Sequence, residues 1–85
     1  MSVQIGRPDI APIARGRLML ACRLGELPAE VLEPKDRERL VYDFWAAGWS
    51  DVEIATRTRM TTYTTGRIRA RLGLAAHPAR ERATA

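Results

Sequence analysis

Apolar residues recur at spacings of three and four along much of the chain, and short polar or Gly/Pro breaks separate the stretches. Ile10, Ile13, Ala14, Leu20, Ala21 and Leu24 fall on one stripe of helical period, widened by Leu18 and Cys22. This predicts a helix capped by Asp9 and running to about Leu24, with Pro12 in its first turn and Gly25 as its stop. The wide apolar face can pack on the rest of the chain or on a second copy of itself. Pro28-Ala-Glu-Val-Leu32 reads as one helical turn or a connector. Pro34 then suits the first position of a second helix, which should run to about Ala47 and bury Leu40, Val41, Phe44 and Trp45. Lys35 to Arg39 are solvated charges in its first turns, some paired at i,i+4. Gly48 is the expected left-handed terminator.

The pattern tightens after Gly48. Ser50-Asp51-Val52-Glu53 is a capping box: the Ser50 hydroxyl can accept from the Glu53 amide while the Glu53 carboxylate reaches back to the Ser50 amide. Trp49 before the cap and Ile54 at the fourth helical position make a hydrophobic staple. A short helix is thus expected from Asp51 to near Thr58, with a second start at Thr61 or Thr62 after Arg59-Met60. Two short helices this close must turn sharply, which predicts a helix-turn-helix at residues 50–72. In the second of them Thr65, Ile68 and Leu72 share an inward stripe, leaving Thr62, Tyr63, Gly66, Arg67 and Ala70 outward. Hydroxyls, an aromatic ring, small residues and an Arg suit a face that enters a major groove. Arg69 and Arg71 flank it, where phosphates would lie.

The expected fold class is therefore all-α, a small helical bundle with a helix-turn-helix. One domain is expected over residues 9–74, between a flexible arm at 1–8 and a flexible basic tail at 75–85. A chain of 85 residues can bury only a modest core, so its stability can lean on a partner.

Charge sharpens the picture. The net +4 divides unevenly: residues 1–53 carry seven basic and nine acidic side chains, residues 54–85 seven Arg and one Glu. Positive charge gathers on the helix-turn-helix and the tail, as an anionic partner requires. With 46% hydrophobic and 28% charged residues the composition is that of a globular protein. Leu18 to Cys22, the longest purely apolar run, is far too short to cross a membrane, and Met1 to Ile5 lacks the pattern of a signal peptide. One cysteine permits no internal disulfide and suits a cytoplasmic location; in its apolar setting Cys22 reads as a buried thiol. No enzyme is expected. There is no Gly-rich phosphate loop and no set of metal ligands or nucleophile with base, and the single histidine, His77, stands alone before a proline. No cofactor, metal or small-molecule ligand is expected.

The stretch around Gly48 resembles the helix-turn-helix superfamily, in particular the short forms of LuxR-type regulators and homeodomain-like phage and transposase domains. The likeness covers about 40 residues, counting the preceding helix, and rests on Gly48, Ser50, Glu53, Ile54, Ala55, Met60, Thr61, Thr64, Ile68, Leu72 and Gly73. The chain departs from that pattern at Thr58, where Leu is usual, at Arg59, where many members have Gly, and at Thr65, where Val is usual. The resemblance implies a small bacterial or phage transcriptional regulator that binds double-stranded DNA as a homodimer. Thr62, Tyr63, Gly66, Arg67 and Ala70 would face base edges, and Arg57, Arg59, Thr61, Arg69 and Arg71 the phosphates. Leu20 and Leu24 are the expected dimer contact. Two other readings stand beside it: an adaptor docking on RNA polymerase or another DNA-bound protein, and a recombination accessory factor.

Overall fold

Helix α1 spans Arg7–Arg23, α2 Pro34–Ala46, α3 Asp51–Thr58 and α4 Thr62–Arg71, with one turn of 3-10 helix at Ala29–Val31 between the first two. The computed structural model describes residues 7–79, with side chains from residue 14 onward. These residues contain helices and no strand. None of the helices is long and apolar enough to cross a membrane.

Local chemistry sets most of the boundaries. Gly25, Gly48 and Gly73 follow their helices at φ of 81°, 92° and 76°, a left-handed region that glycine enters without a Cβ penalty. Pro34 opens α2 at a position whose amide has no helical partner in any case. Ser50 caps α3 with both halves of the capping box formed: its amide donates to Glu53 Oε1 at 2.9 Å and its hydroxyl accepts from the Glu53 amide at 3.3 Å. Thr61 caps α4 by accepting from the Thr64 amide at 3.0 Å. Because Ser50 is buried and engaged with its own helix, Ser50→Ala is expected to lower stability by about 1 kcal/mol while leaving any DNA sequence preference unchanged. Chemical denaturation and competition binding measure the two halves of that expectation.

Two boundaries differ from the sequence reading. Helix α1 begins at Arg7, so Asp9 lies inside the helix and does not cap it, and Pro12 lies beyond the first turn. Of the expected arm only Arg7 and Pro8 are described, both helical; residues 1–6 lie outside the described residues. At the other end, Ala75 and His77 of the expected tail contact α2. The Trp45 indole N–H donates to the Ala75 carbonyl at 2.7 Å. His77 stacks on the Trp45 ring, centroids 5.0 Å apart, and its Nε2 lies 2.9 Å from the Trp45 carbonyl, which makes that nitrogen the donor. The chain after α4 is thereby strapped along α2. The rest of the tail, 80–85, lies outside the described residues.

The core gathers between the helices. Leu40, Val41 and Phe44 of α2, Ile54 of α3, Met60 of the turn and Ile68 of α4 meet Cys22, Ala29 and Leu32. Burial pushes the Cys22 thiol above its ordinary pKa, so it is an inert core group. The apolar face of α1 splits in two. Leu18, Met19 and Cys22 turn to the core, whereas Leu20 and Leu24, 56% and 55% exposed, turn away from it. Ile10 and Ile13 belong to the undescribed side chains. Outside the core, ion pairs fasten α1 to α2. Arg15 grips Asp36 with two hydrogen bonds of 3.0 and 2.7 Å, and Arg23 reaches Asp43 at 2.9 Å. Hydrogen bonding from Arg15 holds the Asp36 carboxyl below its ordinary pKa. That clasp contributes at neutral pH and is lost as the pH falls through the lowered value.

Two threonines fill positions where the resembled pattern has aliphatic residues. Thr58 is fully buried and satisfied, its hydroxyl donating to the Ile54 carbonyl at 2.7 Å. Thr65 is fully buried too, and its hydroxyl has no partner among the described residues. Thr65→Val keeps the volume and removes the unpaired oxygen. The expected result is a gain of about 1 kcal/mol in stability, read from the shift of the urea midpoint.

Candidate nucleic-acid interface

Helix α4 packs on both α3 and α2, which leaves one long side of it to solvent. The inward side is Thr65 and Ile68, both buried, with Leu72 half-buried below. The three-residue link from α3 is set by Arg59, the one described non-glycine residue at positive φ (58°), and by the Met60 amide donating back to the Ala55 carbonyl. Met60 then plugs the core. Two short helices, each capped at its start by a hydroxyl, are thus joined by a link of three residues.

On the solvent side stand Thr62, Tyr63, Arg67 and Ala70, all exposed; Tyr63 reaches 71%. Tyr63 and Arg67 lie four residues apart and form a unit. The Arg67 guanidinium sits 5.7 Å from the Tyr63 ring centroid, and its Nη1 donates to the phenol oxygen at 3.1 Å. No carboxylate neutralises Arg67 among the described residues. The sequence from Ile54 to Ala79 contains no acidic residue, so any carboxylate near α4 comes from another segment, as Asp51 and Glu38 do for Arg69 and Arg71. Thr61 and Arg59 lie beside the solvent side at the start of α4, both exposed. The Arg59 guanidinium donates to the Glu26 carbonyl at 3.2 Å. Arg71 lies at the far end, exposed, in a loose 3.5 Å pair with Glu38. Both cations can turn outward at little cost.

Three residues assigned to the interface by sequence sit elsewhere. Arg69 makes two hydrogen bonds to Asp51, of 2.8 and 3.0 Å, and a third to the Leu74 carbonyl at 2.8 Å. Its side chain is 16% exposed, and the bond to Asp51 keeps it still more firmly protonated than an ordinary Arg. It therefore staples the start of α3 to the end of α4. Gly66 faces this staple: a Cβ there would stand 3.3 Å from Asp51 Oδ2. Its smallness serves the α3–α4 approach rather than groove entry. Arg57 is turned inward as well. Its guanidinium lies 5.0 Å from the Trp49 ring centroid, over a Trp49–Phe44 stack at 4.3 Å, and donates to the Arg23 carbonyl at the end of α1. The sequence carried one hint of this, since Arg57 follows Ile54 by three positions and so shares its face.

Compared with known families, with characterised proteins and with solved structures, the chain has no match. Among the described residues no group of three or more His, Cys, Asp or Glu is placed to hold a metal ion.

Proposed function

We propose that this chain is a sequence-specific double-stranded DNA-binding protein, acting as a small transcriptional regulator, with α4 as its recognition helix. The observation that carries the reading is the Tyr63–Arg67 pair, with no carboxylate on Arg67 among the described residues, on the exposed face of a helix braced on two others. A stacked guanidinium loses less freedom when it meets a base, and Arg suits the paired acceptors of guanine. Thr62 and Ala70 supply small, methyl-bearing contacts on either side. Phosphates fall to Arg59, Arg71 and the Thr61 hydroxyl. Arg57, Arg69 and Gly66 support the fold of the interface instead of touching DNA.

The test begins with titration of a labelled duplex of mixed sequence at low salt, followed by selection of bound sequences from a random pool. The reading requires salt-dependent binding at the first step and an enriched motif at the second. Lack of affinity at low salt would sink it. A second reading, an adaptor that docks on another protein, draws on the exposed Leu20, Leu24 and Val52. It calls for no DNA affinity, so the same titration separates the two.

A further inference from the structure

Helix α2 has two charged flanks, and their charges are used differently. On the flank beside α1, Asp36 and Asp43 are engaged by Arg15, Arg23 and Arg39. Glu33, at the N-cap, adds to the field on Arg15. On the flank beside α4, Lys35, Glu38 and Tyr42 follow one another at spacings of three and four, so they share one side of the helix. Leu40, Val41 and Phe44 occupy its buried side. The row from Lys35 to Tyr42 covers about 10 Å along the axis. Lys35 is exposed and has no partner among the described residues. Tyr42 is 45% exposed, and its phenol makes no hydrogen bond among them. Its ring leans on Trp45, centroids 6.0 Å apart, and Trp45 is itself pinned by Ala75 and His77.

Arg71 joins this row to the candidate interface. It follows Arg67 by four residues, so both lie on one stripe of α4, and its guanidinium crosses to Glu38 at 3.5 Å. Glu38 stands between Lys35 and Tyr42, the one carboxylate in the row. A carboxylate oxygen held by a guanidinium occupies the place that a phosphate oxygen can take. At this distance, with the Arg71 side chain 56% exposed, the pair is weak enough to be exchanged. We infer that the DNA-binding surface runs past α4 onto α2, an inference that rests on the DNA reading. Lys35 and Tyr42 contact the sugar-phosphate backbone of the duplex that α4 reads, and Glu38 is an internal counter-ion that Arg71 gives up to a phosphate. A lysine charge and a phenol donor carry no sequence information at a phosphate. Glu38 opposes every sequence alike, which lowers affinity for mixed DNA and leaves discrimination to Tyr63 and Arg67.

The test uses the full chain and two duplexes, one selected and one scrambled, titrated at several salt concentrations. Lys35→Ala is expected to weaken both by a similar factor, about fivefold, and to lower the salt slope by about one. Tyr42→Phe should weaken both by about threefold and keep the slope, since a neutral donor releases no counter-ion. Glu38→Gln should act the other way and tighten both by about threefold. None of the three side chains belongs to the core, and circular dichroism checks that each variant is folded. Variants that all bind as the wild type does overturn the inference and leave the DNA reading intact. So does a loss confined to the selected duplex, or a Glu38→Gln variant that binds more weakly. A wild type with no affinity for either duplex removes both proposals.

Discussion

Arg67→Ala is expected to weaken binding to the preferred duplex by about 1–3 kcal/mol and to relax selection at one base pair. The side chain has no structural duty that would explain such a loss otherwise. Its contacts are to Tyr63, one turn earlier on the same exposed face, and it anchors nothing across the fold. The variant should therefore keep wild-type stability, which chemical denaturation checks. Titration on preferred and scrambled duplexes then decides its role. Loss on the preferred duplex alone marks a base contact. Equal loss on both reassigns Arg67 to a phosphate. Tyr63→Phe is a useful companion, because it keeps the ring under the guanidinium and removes the hydroxyl that orients it.

The second large effect concerns Arg69, and it is expected in the opposite pair of measurements. Arg69→Ala should destabilise the fold by about 2–3 kcal/mol, because it breaks a two-pronged ion pair and leaves Asp51, 19% exposed, without its cation. The salt dependence of DNA binding should keep its slope, since no phosphate contact is removed. Urea denaturation of Arg69→Ala, and of Asp51→Ala beside it, measures the first part. A double-mutant cycle on the pair gives their coupling. Unchanged stability together with a flatter salt slope would return Arg69 to the phosphates. Gly66→Ala bears on the same site, since its methyl would stand 3.3 Å from Asp51 Oδ2 and force the staple to shift.

These two arginines lie two residues apart on one helix, and their sequence neighbourhoods are almost alike. Spacing puts Arg67 on the outward stripe and Arg69 beside it, but it does not show that Arg69 is held by a carboxylate. The difference arises from Asp51, 18 residues earlier in the chain, which packing brings beside Arg69 and away from Arg67. Arg57 makes the same point at longer range, since its partner carbonyl on Arg23 is 34 residues away. The contact of Ala75 and His77 with Trp45 is a third case: His77 looked idle in the sequence because Trp45, its platform, is 32 residues distant.

What the sequence determined by itself was local. Gly25, Gly48 and Gly73, Pro34, and the caps at Ser50 and Thr61 set where the helices begin and end, because each acts on backbone groups within four residues of itself. The inward stripes of α2 and α4 were legible for the same reason, being narrow and of clean helical period. The tertiary structure alone decided which apolar residues of α1 are core, since a stripe widened by Leu18 and Cys22 has more than one side to offer and only contact with α2 and α3 selects between them. It also decided which cations stay free. An arginine's charge is written in the sequence, but whether a carboxylate or carbonyl from a distant segment already holds it depends on where packing brings that segment.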